Sequence, residues 1–276
     1  MRPNLTASYY APGVDANRAP SRLKLGYEYL VFYGGLLLFG LPAVIWGLAA
    51  SALNLLLPRR LGAPLGQFAI MAIFRGYLFL LQASGIVRCD LSALDALRDE
   101  RSLIIAPNHP SLLDVVLVVS RLPHVVCITK AEIWDNLFLG AGARLAAYIR
   151  NDSPFGMIRL AAAAVRAGRQ LLVFPEGTRT RREPVNRFKG GFALIAKIAR
   201  VPVQTVFIET NSPFLSKGWP LFKKPAFPLI YRARLGRRFE VEADVKTSVV
   251  DMECYYRESL EPGAHPPGDT AMLPAA

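Results

Sequence analysis

Asn108-His109-Pro110-Ser111-Leu112-Leu113-Asp114 sets a histidine and a carboxylate five positions apart. An imidazole oriented by a carboxylate is the minimal general base: the acid fixes the tautomer and stabilises the imidazolium that forms on proton uptake. The plainer reading of so short a pattern is a helix-capping histidine beside an unrelated surface aspartate. The chain has only three histidines, which makes the placement of one inside a motif more telling. A second group is Phe174-Pro175-Glu176-Gly177-Thr178-Arg179. Gly177 allows close approach of a ligand to the backbone, Thr178 offers a hydroxyl, and Arg179 supplies a planar fork suited to phosphate. Arg181, Arg182, Arg187 and Lys189 follow closely. Arg181 and Arg182 read as a solvated face, whereas Arg179 stands directly at a strand end, where α/β sheets bind ligands.

The elements that must position these groups are legible from about residue 100. Leu103 to Ala106, Val125 to Thr129, Leu171 to Phe174 and Pro202 to Ile208 are short apolar runs rich in β-branched residues. Helical stretches lie between them, the clearest being Ser153 to Arg169, with Ser153 as cap, Pro154 at the first position and Gly168 near the end. Phe188 to Arg200 is another. This alternation predicts an α/β fold with a mainly parallel sheet flanked by helices. Pro110 suits the first position of a helix that carries Asp114 little more than one turn beyond His109. Both chemical groups follow predicted strands, so they are expected to share a cleft at one sheet edge. Leu229 to Leu235 and Arg238 to Ala243 alternate apolar with charged residues and predict later, half-exposed strands. Thr247 to Leu260 predicts a last helix.

The N-terminal part is different in kind. Residues 1–23 are polar and irregular and predict a flexible arm. From Tyr29 to Leu57 there is no charged residue, and Leu65 to Val87 carries only Arg75. A bilayer core of about 30 Å needs roughly 20 apolar residues in a helix, so the first segment is long enough, and the two together predict a hairpin that spans or dips into one leaflet. The alternative is a pair of buried core helices. Gly34, Gly35, Gly40 and Pro42 permit a kink or close helix contact. Arg18, Arg22 and Lys24 precede the first run and Arg59 and Arg60 follow it, so positive charge does not orient a single span. A membrane-associated helical hairpin over residues 24–88 satisfies both flanks. It precedes an α/β domain at 89–260, and residues 261–276, rich in Pro and Gly, predict a disordered tail.

The formal charge of +12, from 33 Lys and Arg against 21 Asp and Glu, favours an anionic partner. No aromatic platform is interleaved with the basic residues, and nucleic-acid binding conflicts with the apolar N-terminus. Cys89, Cys127 and Cys254 are odd in number and lack CxxC spacing, so they read as reduced, cytosol-side thiols. A single motif histidine with scattered carboxylates does not make a metal-ligand set. Lys217 to Pro225 mixes aromatics with lysines, which suits either a headgroup zone or a solvated loop. Arg232, Arg234, Arg237 and Arg238 are candidate contacts for an acidic carrier protein or the phosphates of coenzyme A.

The segment Asn108–Asp114 resembles the N-H-x4-D block of the glycerolipid acyltransferases, the family that includes lysophosphatidate acyltransferase. Phe174–Arg179 resembles that family's second signature, 67 residues beyond His109 when measured to Glu176. Between them, Tyr148-Ile149-Arg150-Asn151-Asp152 occupies the place of an intermediate arginine-bearing block. Phe188-Lys189-Gly190-Gly191 and Val201-Pro202-Val203 follow in the family's order. The resemblance covers roughly residues 65 to 210. It implies that His109 takes the proton from an acceptor hydroxyl attacking an acyl thioester and that Asp114 orients and charge-balances it. No acyl-enzyme is implied, so Ser111 is not a nucleophile. Glu176, Gly177, Thr178, Arg179 and Asn108 would bind the acceptor, with Arg179 and Arg150 taking a phosphate or other anionic head group. The resemblance implies no metal and no cofactor beyond acyl-CoA or acyl-ACP as co-substrate. It implies membrane lipids as partners and a bacterial-type inner membrane, with the catalytic domain on the cytoplasmic side. The chain departs from the family pattern at Pro110 and at Gln204-Thr205. These leave the acceptor open between a lysophospholipid such as 1-acyl-glycerol-3-phosphate and an ornithine-type or polyene-pigment lipid. A non-catalytic, basic membrane-surface protein is the alternative from another class.

Overall fold

The computed structural model describes residues 21–261 apart from 137, 183, 242 and 243. Most of the predicted arm and nearly all of the predicted tail therefore lie outside the described residues. The sheet has seven strands: β1 (Val87–Asp90), β2 (Leu103–Pro107), β3 (Val125–Lys130), β4 (Ile149–Asn151), β5 (Gln170–Leu172), β6 (Val203–Thr210) and β7 (Leu229–Phe239). Their spatial order is β1-β7-β6-β2-β5-β3-β4. Five of them run parallel, while β7 pairs antiparallel to β6 and β1 follows β7's direction. The mainly parallel sheet predicted from alternation is present.

Every residue of β2 is buried, as expected of a strand covered on both faces. Register sets Ile105 opposite Leu172 on one side and Gln204 on the other. After β2 the chain turns toward β3, whereas β6 lies on β2's other flank. This reversal of winding is where open α/β sheets hold their ligands, outside the carboxyl ends of the strands. Asn108 and Phe174 follow those ends on neighbouring strands.

Helices α3 (Asp114–Val119), α4 (Ala131–Trp134), α5 (Gly140–Leu145), α6 (Pro154–Arg166) and α7 (Gly191–Ala199) connect the strands, and α8 (Val245–Leu260) closes the described chain. The Ser153 hydroxyl accepts the Gly156 N–H at the start of α6, as its capping position predicts. Three local expectations change. Pro110 starts no helix; α3 begins at Asp114, because residues 110–113 are held in a turn by contacts described below. The helix expected from Phe188 begins at Gly191. The first of the two late strands runs on across the break in alternation to Phe239 as β7, so of the second expected strand only Arg238 and Phe239 are in a strand, while residues 240 and 241 are not. The Gln204 amide donates to Gly236 O at 2.7 Å and the Thr205 hydroxyl to Arg237 O at 2.7 Å, where the register with β6 shifts.

The N-terminal segment is a helical hairpin, α1 (Arg22–Leu56) and α2 (Arg59–Ala83). One stripe of it is seated on the domain. A Cβ at Gly66 would stand 2.7 Å from the backbone nitrogen of Ala146, and one at Gly47 would collide with the Phe138 carbonyl, so both glycines are where backbone meets backbone. Gln67 donates to Ala146 O and Asn54 to Ala141 O, each at 2.9 Å. The other face is apolar and uncovered: Leu30, Leu37, Leu41, Ile45, Leu48 and Leu55 are all exposed. Only 11% of the most apolar stretch of α1 is buried, which excludes the reading of α1 as a core helix. Both helices are long and apolar enough to cross a membrane.

Candidate active site

His109 Nδ1 stands 2.8 Å from Asp114 Oδ2, and Asp114 is fully buried. The same oxygen accepts the Ser111 N–H at 2.8 Å. Ser111 in turn accepts the Leu113 N–H and donates its hydroxyl to Phe214 O at 2.9 Å, while the Leu112 N–H donates to Leu215 O. These bonds bend residues 110–113 into a turn and fold the carboxylate back onto the ring. Asp114 Oδ1 is buried with no hydrogen-bond partner among the described residues. Burial pushes the Asp114 carboxyl above its usual range, against the pull of His109, the Ser111 N–H and, more distantly, Arg179. With Asp114 ionised, the facing ring nitrogen carries the proton, so that Nδ1 donates and Nε2 keeps its lone pair.

The ring is held on its face as well. His109 stacks on Phe174, with centroids 3.8 Å apart and planes 16° from parallel. The His109 N–H donates to Glu176 Oε1 at 2.9 Å, and its carbonyl accepts the Thr180 N–H at 2.7 Å. Glu176 also accepts the Thr180 hydroxyl on Oε1 and the Asn186 N–H on Oε2, both at 2.8 Å. Its carboxylate, 1% exposed, thus welds the two motif loops together. Asn108 does similar work on the other side: its amide bonds both the N–H and the C=O of Ile208, tying the end of β2 to β6.

Around this dyad the structure gathers cations. Arg179 donates to Leu215 O and Ser216 O at 2.7 and 3.0 Å, contacts that aim the guanidinium without neutralising it. Thr178 accepts from Lys217 Nζ at 3.0 Å. Gly177, at φ +67°, has the Lys189 side chain lying over it, within 3.1 Å of where a Cβ would be. The like charges of Arg181, first, and then of Lys130 and Arg179, together with slight desolvation, hold the Lys217 ammonium below its usual range. Among the described residues none of Lys130, Arg181, Lys189 and Lys217 is in an ion pair. Concentrated positive charge of this kind is suited to an anionic ligand.

The site residues read from the sequence do not all meet. His109, Asp114, Glu176, Gly177, Thr178 and Arg179 are assembled, and Asn108 supports them. Arg150 lies on β4 at the sheet edge, three strands or about 14 Å from β2. It pairs with Asp135 and Asp152, each at 2.8 Å. Gln204 and Thr205 sit toward the opposite end of β6 from Asn108's partner Ile208, so they do not line the cleft. Arg234 pairs with Glu209, Arg238 with Glu100, and Arg237 stacks on Phe239. Two contributors are not among the site residues that the sequence points to. Lys130 shows only its position at the end of β3, and Lys217 arrives from a distant loop.

Comparison with known proteins gives a converging result. Residues 88–209 match the family model described as Acyltransferase. The 1-acyl-sn-glycerol-3-phosphate acyltransferase of Cocos nucifera is 38% identical over 104 residues, 35% of this chain and 33% of that protein. A putative 1-acyl-sn-glycerol-3-phosphate acyltransferase of Caenorhabditis elegans, acl-1, is 25% identical over 195 residues, 67% of this chain and 71% of that one. The chain thus spans about a third of the length of the first relative and over two thirds of the second. Among solved structures, the 1-acyl-sn-glycerophosphate (LPA) acyltransferase PlsC of Thermotoga maritima superposes with a TM-score of 0.60 at 17% identity, covering 87% of this chain and 95% of that one. The fold is shared.

Proposed function

We propose that this chain, whose residues 88–209 match the acyltransferase family model, moves an acyl group from a thioester to a hydroxyl of a lysophospholipid of the 1-acylglycerol-3-phosphate type. The observation that carries the reading is the buried His109–Asp114 pair at 2.8 Å beside uncompensated cations. His109 Nε2 accepts the proton of the acceptor hydroxyl as its oxygen attacks the thioester carbonyl. Asp114 stabilises the imidazolium so formed. The tetrahedral intermediate collapses to the ester, and the thiolate leaves with the proton that His109 returns. Ser111 has no part as nucleophile, since its hydroxyl is spent on Phe214 O and the Leu113 N–H. Arg179, Lys217 and Lys130 take the acceptor's phosphate, with Arg181 adding to the field. Glu176 and Asn108 hold the loops rather than the ligand. The chemistry needs no metal, and the donor is acyl-CoA or acyl-ACP.

The uncovered face of α1 and α2 seats the protein in the membrane that supplies the acceptor, a bacterial-type inner membrane with the domain on the cytoplasmic side where thioesters are made. An acceptor panel of lysophosphatidate, lysophosphatidylcholine and a lyso-ornithine lipid, followed by thiol release from acyl-CoA or acyl-ACP, tests the reading. Transfer to lysophosphatidate should dominate, and His109→Ala should lower it by roughly three orders of magnitude, the scale of a lost general base. Unchanged turnover in that variant sinks the assignment. Preference for an acceptor without phosphate sinks the substrate class.

A further inference from the structure

The segment from Asn211 to Pro228 crosses from β6 to β7 and touches both the catalytic turn and the hairpin. On the catalytic side, Phe214 O accepts the Ser111 hydroxyl, Leu215 O accepts the Leu112 N–H, and Leu215 and Ser216 carbonyls hold Arg179. On the hairpin side, Lys224 Nζ pairs with Glu28 at 2.7 Å, both side chains being nearly buried, and Tyr33 donates to Phe222 O. Phe32 of α1 packs edge-on against Phe214, which packs edge-on against Trp219. Successive turns stiffen the tip: Trp219 N–H to Ser216 O, Lys223 N–H to Pro220 O, and the Trp219 indole to Lys223 O at 3.0 Å. Yet the tip itself exposes Phe222 at 70% and Leu221 at 50%, with Lys223 beside them over the Trp219 ring. A rigid tip with outward apolar side chains and an adjacent cation is not what a solvated loop requires. It continues the uncovered α1 face through Tyr33, itself 47% exposed.

We infer that this tip, Trp219 to Lys223, is a second membrane-contact element. Leu221 and Phe222 enter the headgroup zone of an anionic bilayer, and Lys223 meets its phosphates. The inference rests on the lipid-acyltransferase reading above and extends it. Aromatic and aliphatic side chains flanked by lysine suit the bilayer interface, where a tethered cation gains from surface charge. Because the same segment holds Arg179 and the His109 turn, its seating sets the phosphate-binding side chain at headgroup depth. Phe222→Trp in proteoliposomes of phosphatidylcholine and phosphatidylglycerol tests this. The added indole emission should be at least halved by lipids brominated at the shallow chain carbons. The double variant Leu221→Ser/Phe222→Ser should lose about tenfold in kcat/KM on a long-chain lyso-acceptor in vesicles, yet keep its rate on a short-chain, water-soluble acceptor. No quenching, or equal loss on both acceptors, overturns the inference. So does shielding of the indole from an aqueous quencher only on addition of an acidic acyl carrier protein, which would make the tip a protein-docking site. Quenching in a protein that transfers to neither acceptor would instead overturn the enzymatic reading and leave the membrane contact standing.

Discussion

Arg150 and Arg179 both stand at or just beyond the carboxyl ends of parallel strands, and the structure uses them in opposite ways. Arg150 on β4 is clasped by two carboxylates, Asp135 and Asp152, at a half-exposed sheet edge. Arg179 beyond β5 is bound by two carbonyls, Leu215 and Ser216, next to Lys217. A carboxylate cancels a guanidinium's charge, whereas a carbonyl only orients it. The first arginine therefore ties local structure together, and the second keeps its field for a ligand. Strand position alone does not separate them. The partners do.

The sharpest way to break this contrast is Arg179→Ala, which should raise KM for a phosphate-bearing acceptor and lower kcat/KM by about 30- to 150-fold. That corresponds to about 2–3 kcal/mol for a largely desolvated charge contact. Arg179→Lys should recover only part of it, because the ammonium cannot hold both carbonyls and a phosphate with one fork. An unchanged KM in either variant would place the phosphate elsewhere. Next in size is Glu176→Gln. Its amide NH2 would have to face either the His109 N–H or the Asn186 N–H, both of which now find carboxylate oxygens. One clash of donors costs about 1–3 kcal/mol and should cut kcat about tenfold with little change in KM. Burial raises the Glu176 carboxyl above its ordinary 4.5. A carboxyl raised in the folded state adds stability below the unfolded value and loses it as pH climbs through the folded one. The melting temperature of wild type minus that of Glu176→Gln should therefore narrow as pH rises from about 4 toward 7. A widening gap would contradict the shift. Smaller again is Lys217→Ala, about fivefold in KM at low salt and less at high salt, as expected of an exposed cation screened over a Debye length.

How much of this could be read from residue order follows from where each signal resides. β2, β5 and β6 are short apolar runs bounded by polar turns, so local pattern reveals them, and the motifs at the ends of β2 and β5 announce the dyad and Arg179. The uncharged stretch Tyr29 to Leu57 announces α1. The turn at Pro110 is different, because contacts with Phe214 and Leu215, about a hundred residues away, decide it. β1 and β4 are four and three residues long and exist only through pairing with β7 and β3. β7 is uninterrupted because Gln204 and Thr205 supply side-chain bonds across the shift in register. The cationic cluster draws Lys130 from the end of β3, Arg179 from the turn after β5 and Lys217 from the crossing between β6 and β7, so no window of sequence contains it.

The smallest expected effect returns to the opening pair. Arg150 is one-third exposed and its two carboxylate partners are about half exposed. Pairs so open to solvent contribute about 0.2–1 kcal/mol each, and salt weakens them further. Arg150→Ala should then lower the melting temperature by a few degrees at most and leave kcat/KM within about threefold of wild type. The resemblance to a family block that bears an arginine at this place implies the contrary, a headgroup contact whose loss would raise KM as Arg179→Ala does. Measuring both variants against the same lysophosphatidate series decides between them. If Arg150→Ala matches Arg179→Ala in KM, the ion pairs with Asp135 and Asp152 must open when the acceptor arrives, and partner identity in the unliganded protein ceases to be a guide to which arginine binds phosphate.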